Sequence, residues 1–228
     1  MKKIVVLTGA GISAESGIST FRDAGGLWEQ HDIMEVASID GWHKNQALVL
    51  DFYNQRRRQL LEVQPNAGHF ALVALEKKYD VHIITQNVDD LHEQAGSKNV
   101  LHLHGELRKA RSCKDETLIY NWDQDITSED KCEQGSQLRP HIVWFGEMVP
   151  MMEKAALETM TADILLIIGT SLQVYPAASL MNFAPEDTPI YYIDPNPEII
   201  SNDDFFHIIA EKATIGVPMV VEKLLQTV

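Results

Sequence analysis

The chain has 228 residues, 45% of them hydrophobic and 23% charged, and its 33 Asp and Glu against 19 Lys and Arg leave a formal net charge of −14. A composition of this kind belongs to a folded globular protein with one large core, or a core plus a small insert, and needs no mini-protein devices. So acidic a balance excludes general nucleic-acid binding and attachment to anionic membrane surfaces, and no apolar run approaches the ~18 residues that span a bilayer.

The first predicted element is a buried strand at residues 4–7, where Thr8-Gly9 cuts the apolar run too short for a signal peptide. Directly after it stands Gly9-Ala10-Gly11-Ile12-Ser13-Ala14-Glu15-Ser16-Gly17. Gly9, Gly11 and Ala14 fit a G-x-G-x-x-G/A turn, in which small residues let the backbone approach a pyrophosphate at a helix N-terminus; a plain tight turn is the bland alternative. A helical turn is expected at 13–16. A dehydrogenase would place an acidic ribose ligand at the end of a second strand ~20 positions on. This chain has Phe21-Arg22-Asp23-Ala24-Gly25-Gly26-Leu27-Trp28 there, a Gly-rich loop, so simple hydride transfer fits poorly.

Helical patterns follow at 46–61 and 67–77, then a buried strand at 81–85 that runs into Gln86-Asn87-Val88-Asp89-Asp90. Polar groups at the carboxyl end of a parallel strand sit where open α/β sheets bind ligands, although Asn87 or Asp89 would also serve as a helix N-cap. In Leu101-His102-Leu103-His104-Gly105-Glu106, alternation puts both imidazoles on one face of an extended segment, suited to proton transfer near neutral pH. A metal pair would need further ligands, and none is spaced for it.

Residues 107–140 break the pattern. They are polar, carry both cysteines of the chain, and suggest a hairpin-like insert with a minor core around Leu118, Tyr120 and Trp122. An aromatic strand, residues 141–147, ends in Gly146-Glu147 and offers an edge for an extended peptide. A helix at 151–160, strands at 164–168 and 190–193, and a helix at 217–225 complete the chain, with Gly169-Thr170-Ser171 and Asp194-Pro195-Asn196 after the two strands. The strands lack period-two alternation, as strands covered on both faces do, so the fold class is α/β with a parallel sheet and helices on each side. The turns at successive strand ends converge on one crevice. Two cysteines, Cys113 and Cys132, are too few for a disulfide framework and point to a reducing compartment, so the cytoplasm is the expected location.

Taken in order, Gly9-Ala10-Gly11-Ile12-Ser13, Gly17-Ile18, Phe21-Arg22, Gln86-Asn87-Val88-Asp89, His104-Gly105, Phe145-Gly146-Glu147 and Gly169-Thr170-Ser171 resemble the sirtuins, the NAD-dependent protein lysine deacylases. The resemblance covers nearly the whole chain. It implies a Rossmann-type NAD-binding domain at 1–106 and 141–228, with a helical segment around 28–66, and a small zinc-ribbon-like insert at 107–140. It also implies that acyl-lysine peptide and NAD meet between them, and that the products are lysine, nicotinamide and O-acyl-ADP-ribose. By similarity His104 is the general base, assisted by Asn87 and Asp89. Gly9, Ala10, Gly11, Ser13, Gln86, Val88, Gly169, Thr170 and Ser171 would contact NAD, with Phe21, Arg22 and Trp28 on a closing loop and Asn196 and Ala213 at the adenosine end. Val143, Phe145, Gly146 and Glu147 would meet the acylated peptide or protein. A mono-ADP-ribosyltransferase and a non-catalytic NAD- or ADP-ribose-binding module are the alternatives.

Tyr53 and Arg56 lie three residues apart in a helical stretch and share a face. A phenol and a guanidinium in an acyl pocket would bind a carboxylate, and the pair resembles sirtuins that remove succinyl and malonyl groups. Of the neighbouring Arg56, Arg57 and Arg58, two are expected to be solvated. The insert departs from the family, which usually has two Cys-x-x-Cys pairs around a zinc. Here Cys113 is followed by Glu116 and Cys132 by Gly135, so no zinc is expected.

Overall fold

The computed structural model describes residues 1–18, 27–28, 31–197 and 203–226, with Leu27 and Trp28 described by their backbone alone. The first half contains β1 (Lys3–Thr8), β2 (Leu27–Trp28), β3 (His31–Asp32), α1 (Ile33–Val36), α2 (Ile39–Lys44), α3 (Gln46–Leu60), α4 (Ala67–Leu75), β4 (Asp80–Thr85), α5 (Leu91–Ala95) and β5 (Val100–His102). The second contains β6 (Gly105–Ser112), β7 (Ile119–Asn121), β8 (Leu138–Ile142), α6 (Met152–Thr159), β9 (Ile164–Ile168), β10 (Ile190–Ile193), β11 (Phe206–Ile209) and α7 (Ala213–Gln226).

Six strands form a parallel sheet in the order β11-β10-β9-β1-β4-β5. Its strands read as continuous apolar runs because both faces are covered. Ile4, Val6, Ile83, Leu166 and Ile193 pack with Leu72 and Leu75 of α4 and Val217 and Val221 of α7. The alternate residues Val5, Leu7, Ile84, Leu165 and Tyr192 face Ala155 of α6 and Ala177, Ala178 and Leu180 of the 3₁₀ helix Ala177–Phe183. The expected α/β class and its strands at 164–168 and 190–193 are found as read. β11 and α5 went unread because each is five residues or shorter and carries polar side chains inside the pattern, while α1 and α2 fall in the helical segment expected around 28–66 and β5 in the extended segment that carries His102. α7 begins earlier than expected, at Ala213, since Gly216 and Pro218, which read as breakers, lie inside it.

Two expectations need correction. The helical turn expected after β1 is present but is not the start of a long helix: the described segment makes two 3₁₀ turns, Ala10–Ile12 and Ala14–Ser16, ended by Gly17 at φ +99°. The anion site of a long helix N-terminus is therefore not built there. The insert also lacks a core of its own. β6, β7 and β8 form an antiparallel sheet in which Leu118, Tyr120 and Trp122 are only partly buried, while Leu107, Ala110, Ile126 and Leu138 join Val36, Trp42, Val49, Phe52 and Leu60 from α1 to α3 in one shared core.

Arg57 explains much of that union, and it corrects the expectation of a solvated arginine patch. It is fully buried, donates from Nε to the Leu107 carbonyl at 2.9 Å, and reaches Asn54 Oδ1 at 2.8 Å. Asn54 itself bonds the Ile126 backbone through both its amide nitrogen and its oxygen, at 3.0 and 2.9 Å. Only Arg58 is a surface cation, paired with Asp125 at 2.6 Å. Among the described residues no helix is long and apolar enough to cross a membrane.

Candidate functional site

The carboxyl ends of β1, β4, β9 and β10 open into a cleft of about 710 Å³, bounded on its other side by α3 and the segment after β8. Gly9, Ala10, Gly11, Gln86, Asn87, Val88, Asp89, His104, Gly169, Thr170, Ser171, Asn196 and Ala213 all line it, as do Tyr53, Arg56, Val143, Phe145, Gly146 and Glu147. Phe21 and Arg22 and the side chain of Trp28 lie outside the described residues.

Glycine is required at the cleft floor because two loops cross there. Gly9 and Gly11 donate to the Ile168 and Gly169 carbonyls at 3.0 and 2.9 Å. A Cβ on Gly11 would sit 2.6 Å from Gly169 Cα, and Gly169 holds φ +60° with its own Cβ position 2.5 Å from Ile12 N. The motif's glycines thus serve loop packing, which brings the ends of β1 and β9 side by side.

Residues 86–88 run beside residues 102–107, from the end of β5 into β6, and three successive carbonyls are each met by a donor from them. His104 Nδ1 faces Gln86 O at 3.0 Å, His102 Nδ1 faces Asn87 O at 3.2 Å, and Leu107 N donates to Val88 O at 2.8 Å. The side chains are then fixed toward the cleft. Asn87 Nδ2 donates to Ser13 Oγ at 3.1 Å, and Ser13 Oγ donates to Asp89 Oδ2 at 2.9 Å. Gln86 Nε2 donates to Thr170 Oγ1 at 3.2 Å, tying β4's loop to β9's. Asp89 also accepts from Leu91 N at 3.2 Å, so the capping role and the site role coexist. Burial pushes the Asp89 carboxyl up to about 6, against the pull of these hydrogen bonds and of His102.

The two histidines differ in chemistry. A carbonyl only accepts, so His104 carries its proton on Nδ1 and keeps the Nε2 lone pair as a base. Burial holds its pKa below the ordinary value, with the Gln86 carbonyl acting in the opposite sense, so the ring is neutral at physiological pH. His102 lies beside it but does not line the cleft; its Nε2 meets Glu93 Oε1 at 2.8 Å.

The opposite wall is aromatic. Tyr53 is buried, and its hydroxyl accepts from Trp144 Nε1 at 3.0 Å. Arg56, one turn on, donates to Phe52 O at 2.9 Å and stacks on the Phe52 ring 3.8 Å from its centroid. The expected strand at 141–147 stops at Ile142. Beyond it Phe145 bonds the Ala37 carbonyl and the Ile39 amide, at 2.9 and 3.1 Å, and Gly146 turns the chain with φ +90°. Phe145 therefore has no backbone pair left for strand addition, but its ring is exposed to the cleft. Glu147 lines the cleft and is held from behind by Arg139 at 2.7 Å, Arg111 at 3.0 Å and Trp144 N at 2.8 Å.

Asp194 went unassigned although its place at a strand end is a sequence signal; it is buried, lines the cleft and accepts from Asn196 N at 2.9 Å. Gln59 and Lys212 also line the cleft and carry no motif.

The Sir2 family model matches residues 9–176. The chain belongs to the Sir2 family. Two relatives named NAD-dependent protein deacylase are similar over most of their length. One from Helicobacter pylori strain J99 is 65% identical over 195 residues, covering 86% of this chain and 83% of its own. One from Bacteroides thetaiotaomicron is 51% identical over 226 residues, covering 95% of each chain. A Sir2 homologue solved in complex with NAD superposes with a TM-score of 0.89 at 38% identity, over 99% of this chain and 90% of that one. A Sir2 structure bound to a myristoylated histone peptide gives 0.74 at 32%, over 98% and 91%.

The donor set suits a dinucleotide. Amides, a carboxylate and hydroxyls along the strand ends match ribose hydroxyls and a carboxamide, and the cleft has the volume for both halves. The insert does not suit the family's zinc. Among the described residues no group of three or more His, Cys, Asp or Glu is placed to hold a metal, Cys113 is exposed, and Cys132 Sγ is engaged with Ser112 Oγ at 3.4 Å.

Proposed function

We propose that this Sir2 protein, an NAD-dependent protein deacylase, acts on lysines carrying short acidic acyl groups, succinyl and malonyl, as well as acetyl. The observation that carries the reading is a cationic side chain on the acyl wall: Tyr53 and Arg56 share the cleft with His104. A guanidinium beside a phenol recognises a terminal carboxylate, which an acetyl group lacks.

Bound NAD supplies a ribose carbon that an acyl oxygen can attack as nicotinamide departs. The chain's residues do the rest. Asn87 and Asp89, fixed through Ser13, orient the nicotinamide ribose. His104 Nε2 takes a proton from a ribose hydroxyl so that the hydroxyl can capture the acyl carbon. Ser171, Asn196 and Ala213 line the far end of the cleft, where the adenosine half would lie. The acylated peptide, as in the neighbour holding a myristoylated histone peptide, would rest on Val143, Phe145 and Gly146. A proton acceptor in the cleft supports catalysis over a non-catalytic NAD-binding module, and the relatives' shared name supports deacylation over ADP-ribosyl transfer.

Mass spectrometry of NAD-dependent turnover on acetyl, succinyl and malonyl peptides tests this. Arg56→Met is expected to lower succinyl-peptide kcat/KM by roughly 10- to 100-fold, the worth of one charge-assisted hydrogen bond, with a much smaller loss on acetyl peptide. Equal losses on both would sink the acidic-acyl reading.

The insert, in this reading, is held by its shared core and by Arg57, without a metal. Elemental analysis of chelator-washed protein is expected to find zinc well below stoichiometry, with the melting temperature unchanged by chelation; bound stoichiometric zinc would overturn it.

A further inference from the structure

His102 stands outside the cleft, yet it touches the segment that orients the ribose. Its side chain is 8% exposed, and both ring nitrogens face acceptors: the Asn87 carbonyl at 3.2 Å from Nδ1 and the Glu93 carboxylate at 2.8 Å from Nε2. A neutral imidazole has one N–H and can satisfy only one of them. Two acceptors on opposite nitrogens select the doubly protonated ring. His104, two residues on, meets one carbonyl and has its second nitrogen directed to the cleft.

We propose that His102 is a positioning residue that works as an imidazolium, holding the Asn87 carbonyl so that the Asn87 and Asp89 side chains stay aimed at NAD, with Glu93 as its fixed counter-ion. The inference rests on the reading of Asn87 and Asp89 as the ribose-orienting pair. Of the two imidazoles and one backbone amide that meet the 86–88 carbonyls, His102 alone belongs to a residue that does not line the cleft. Losing its proton releases one of the two acceptors, and the nearer, charged Glu93 keeps the remaining N–H.

The groups around the ring are consistent with that state. Burial pushes the ring's pKa down, but the Glu93 hydrogen bond and charge, the Glu106 charge from β6 and the Asn87 carbonyl together hold it above the ordinary histidine value. On α5, His92 is buried and kept neutral. On the cleft side, the His102 charge helps keep Asp89 ionised. The two histidines then set opposite limbs of the pH profile. His104 must be neutral, so activity rises as pH climbs through its pKa; His102 must be charged, so activity falls as pH climbs through the higher pKa of that ring.

Glu93→Gln tests the proposal on an exposed residue and keeps the hydrogen-bond acceptor while removing the charge. Its kcat/KM for NAD is expected to show the alkaline limb displaced to lower pH by about half a unit or more, at an unchanged peptide KM and melting temperature. His102→Gln is expected to cost about tenfold in kcat/KM for NAD with peptide KM within about twofold. An NMR titration of the His102 ring in the intact protein, wild type against Glu93→Gln, reads the same shift without turnover. A Glu93→Gln profile and ring titration that superimpose on wild type, in an enzyme that Asn87→Ala inactivates, overturn the proposal alone. An Asn87→Ala enzyme with wild-type turnover overturns the ribose reading and the proposal with it.

Discussion

Replacing His104 with alanine is expected to lower kcat for deacylation by about 10²- to 10⁴-fold, the usual contribution of a positioned general base. The ring is held by a single hydrogen bond from Nδ1 to Gln86 O at 3.0 Å and lines an open cleft, so its removal leaves the surrounding packing in place. The melting temperature should therefore move little. Peptide and NAD binding should also survive, because the residues that line the rest of the cleft are untouched. The loss belongs in single-turnover acyl transfer measured at saturating NAD and peptide. In the wild-type enzyme the rate should rise with pH through the His104 pKa, which burial holds below its ordinary value. A His104→Ala enzyme with kcat within threefold of wild type would remove the base from this residue.

The largest stability effect is expected at Glu147. Its carboxylate, 15% exposed, faces two guanidiniums, Arg111 and Arg139, each 5% exposed. Arg139 also stacks on the Trp144 ring, 3.4 Å from its centroid, and Trp144 in turn donates to Tyr53. Glu147→Ala leaves Arg139 without its carboxylate and Arg111 with only the exposed Glu116 at 4.0 Å, which costs about 3–5 kcal/mol. For a chain of this size that corresponds to roughly 10 °C in melting temperature. Glu147→Gln separates charge from shape: it keeps an acceptor for Trp144 N and should lie between the two. The pH dependence has a definite sign. Burial pushes the Glu147 carboxyl up, but the hydrogen bond and charge of Arg139, the Trp144 amide and the Arg111 charge hold it below the usual carboxylate range. Its contribution is complete above the unfolded carboxylate pKa and is lost as pH falls through the lower, folded value. Glu147→Ala should accordingly flatten the acid side of the stability curve. A variant that melts with wild type would show the carboxylate to be dispensable.

How much of this was legible in the sequence depended on how far each residue's environment is set by its immediate neighbours. Strands at 164–168 and 190–193 could be bounded because a strand buried on both faces leaves an uninterrupted apolar run. The cleft residues at strand ends were legible for a topological reason, since a parallel sheet brings its carboxyl ends to one edge. Long-range packing was not. Arg57 reads like its neighbours Arg56 and Arg58, and it is distant carbonyls, Leu107 fifty residues away and Gln124 beyond it, that hold it in the core. The bracing of Glu147 was hidden as well, because nothing local shows that Arg111 and Arg139 stand behind it. The second demand on the glycine turn was not legible, because the loop that crosses it comes from residue 169. The His102 and His104 pair reads as one motif, and their division of labour follows from Glu93, which approaches only one of them.

The Arg57 and Asn54 contacts have a further bearing on the acyl wall. They join α3 to the insert, and the same shared core carries Tyr53 and Trp144. The side chains proposed for the acyl group thus pack with the insert, whereas those proposed for the dinucleotide stand at the strand ends of the sheet. Hinge motion between the two would change the distance from acyl group to ribose without reshaping the pocket. On the proposed reading, choice of acyl chain and approach to the ribose would then be separable, the first set by the packing around Tyr53 and the second by the distance from that packing to the sheet.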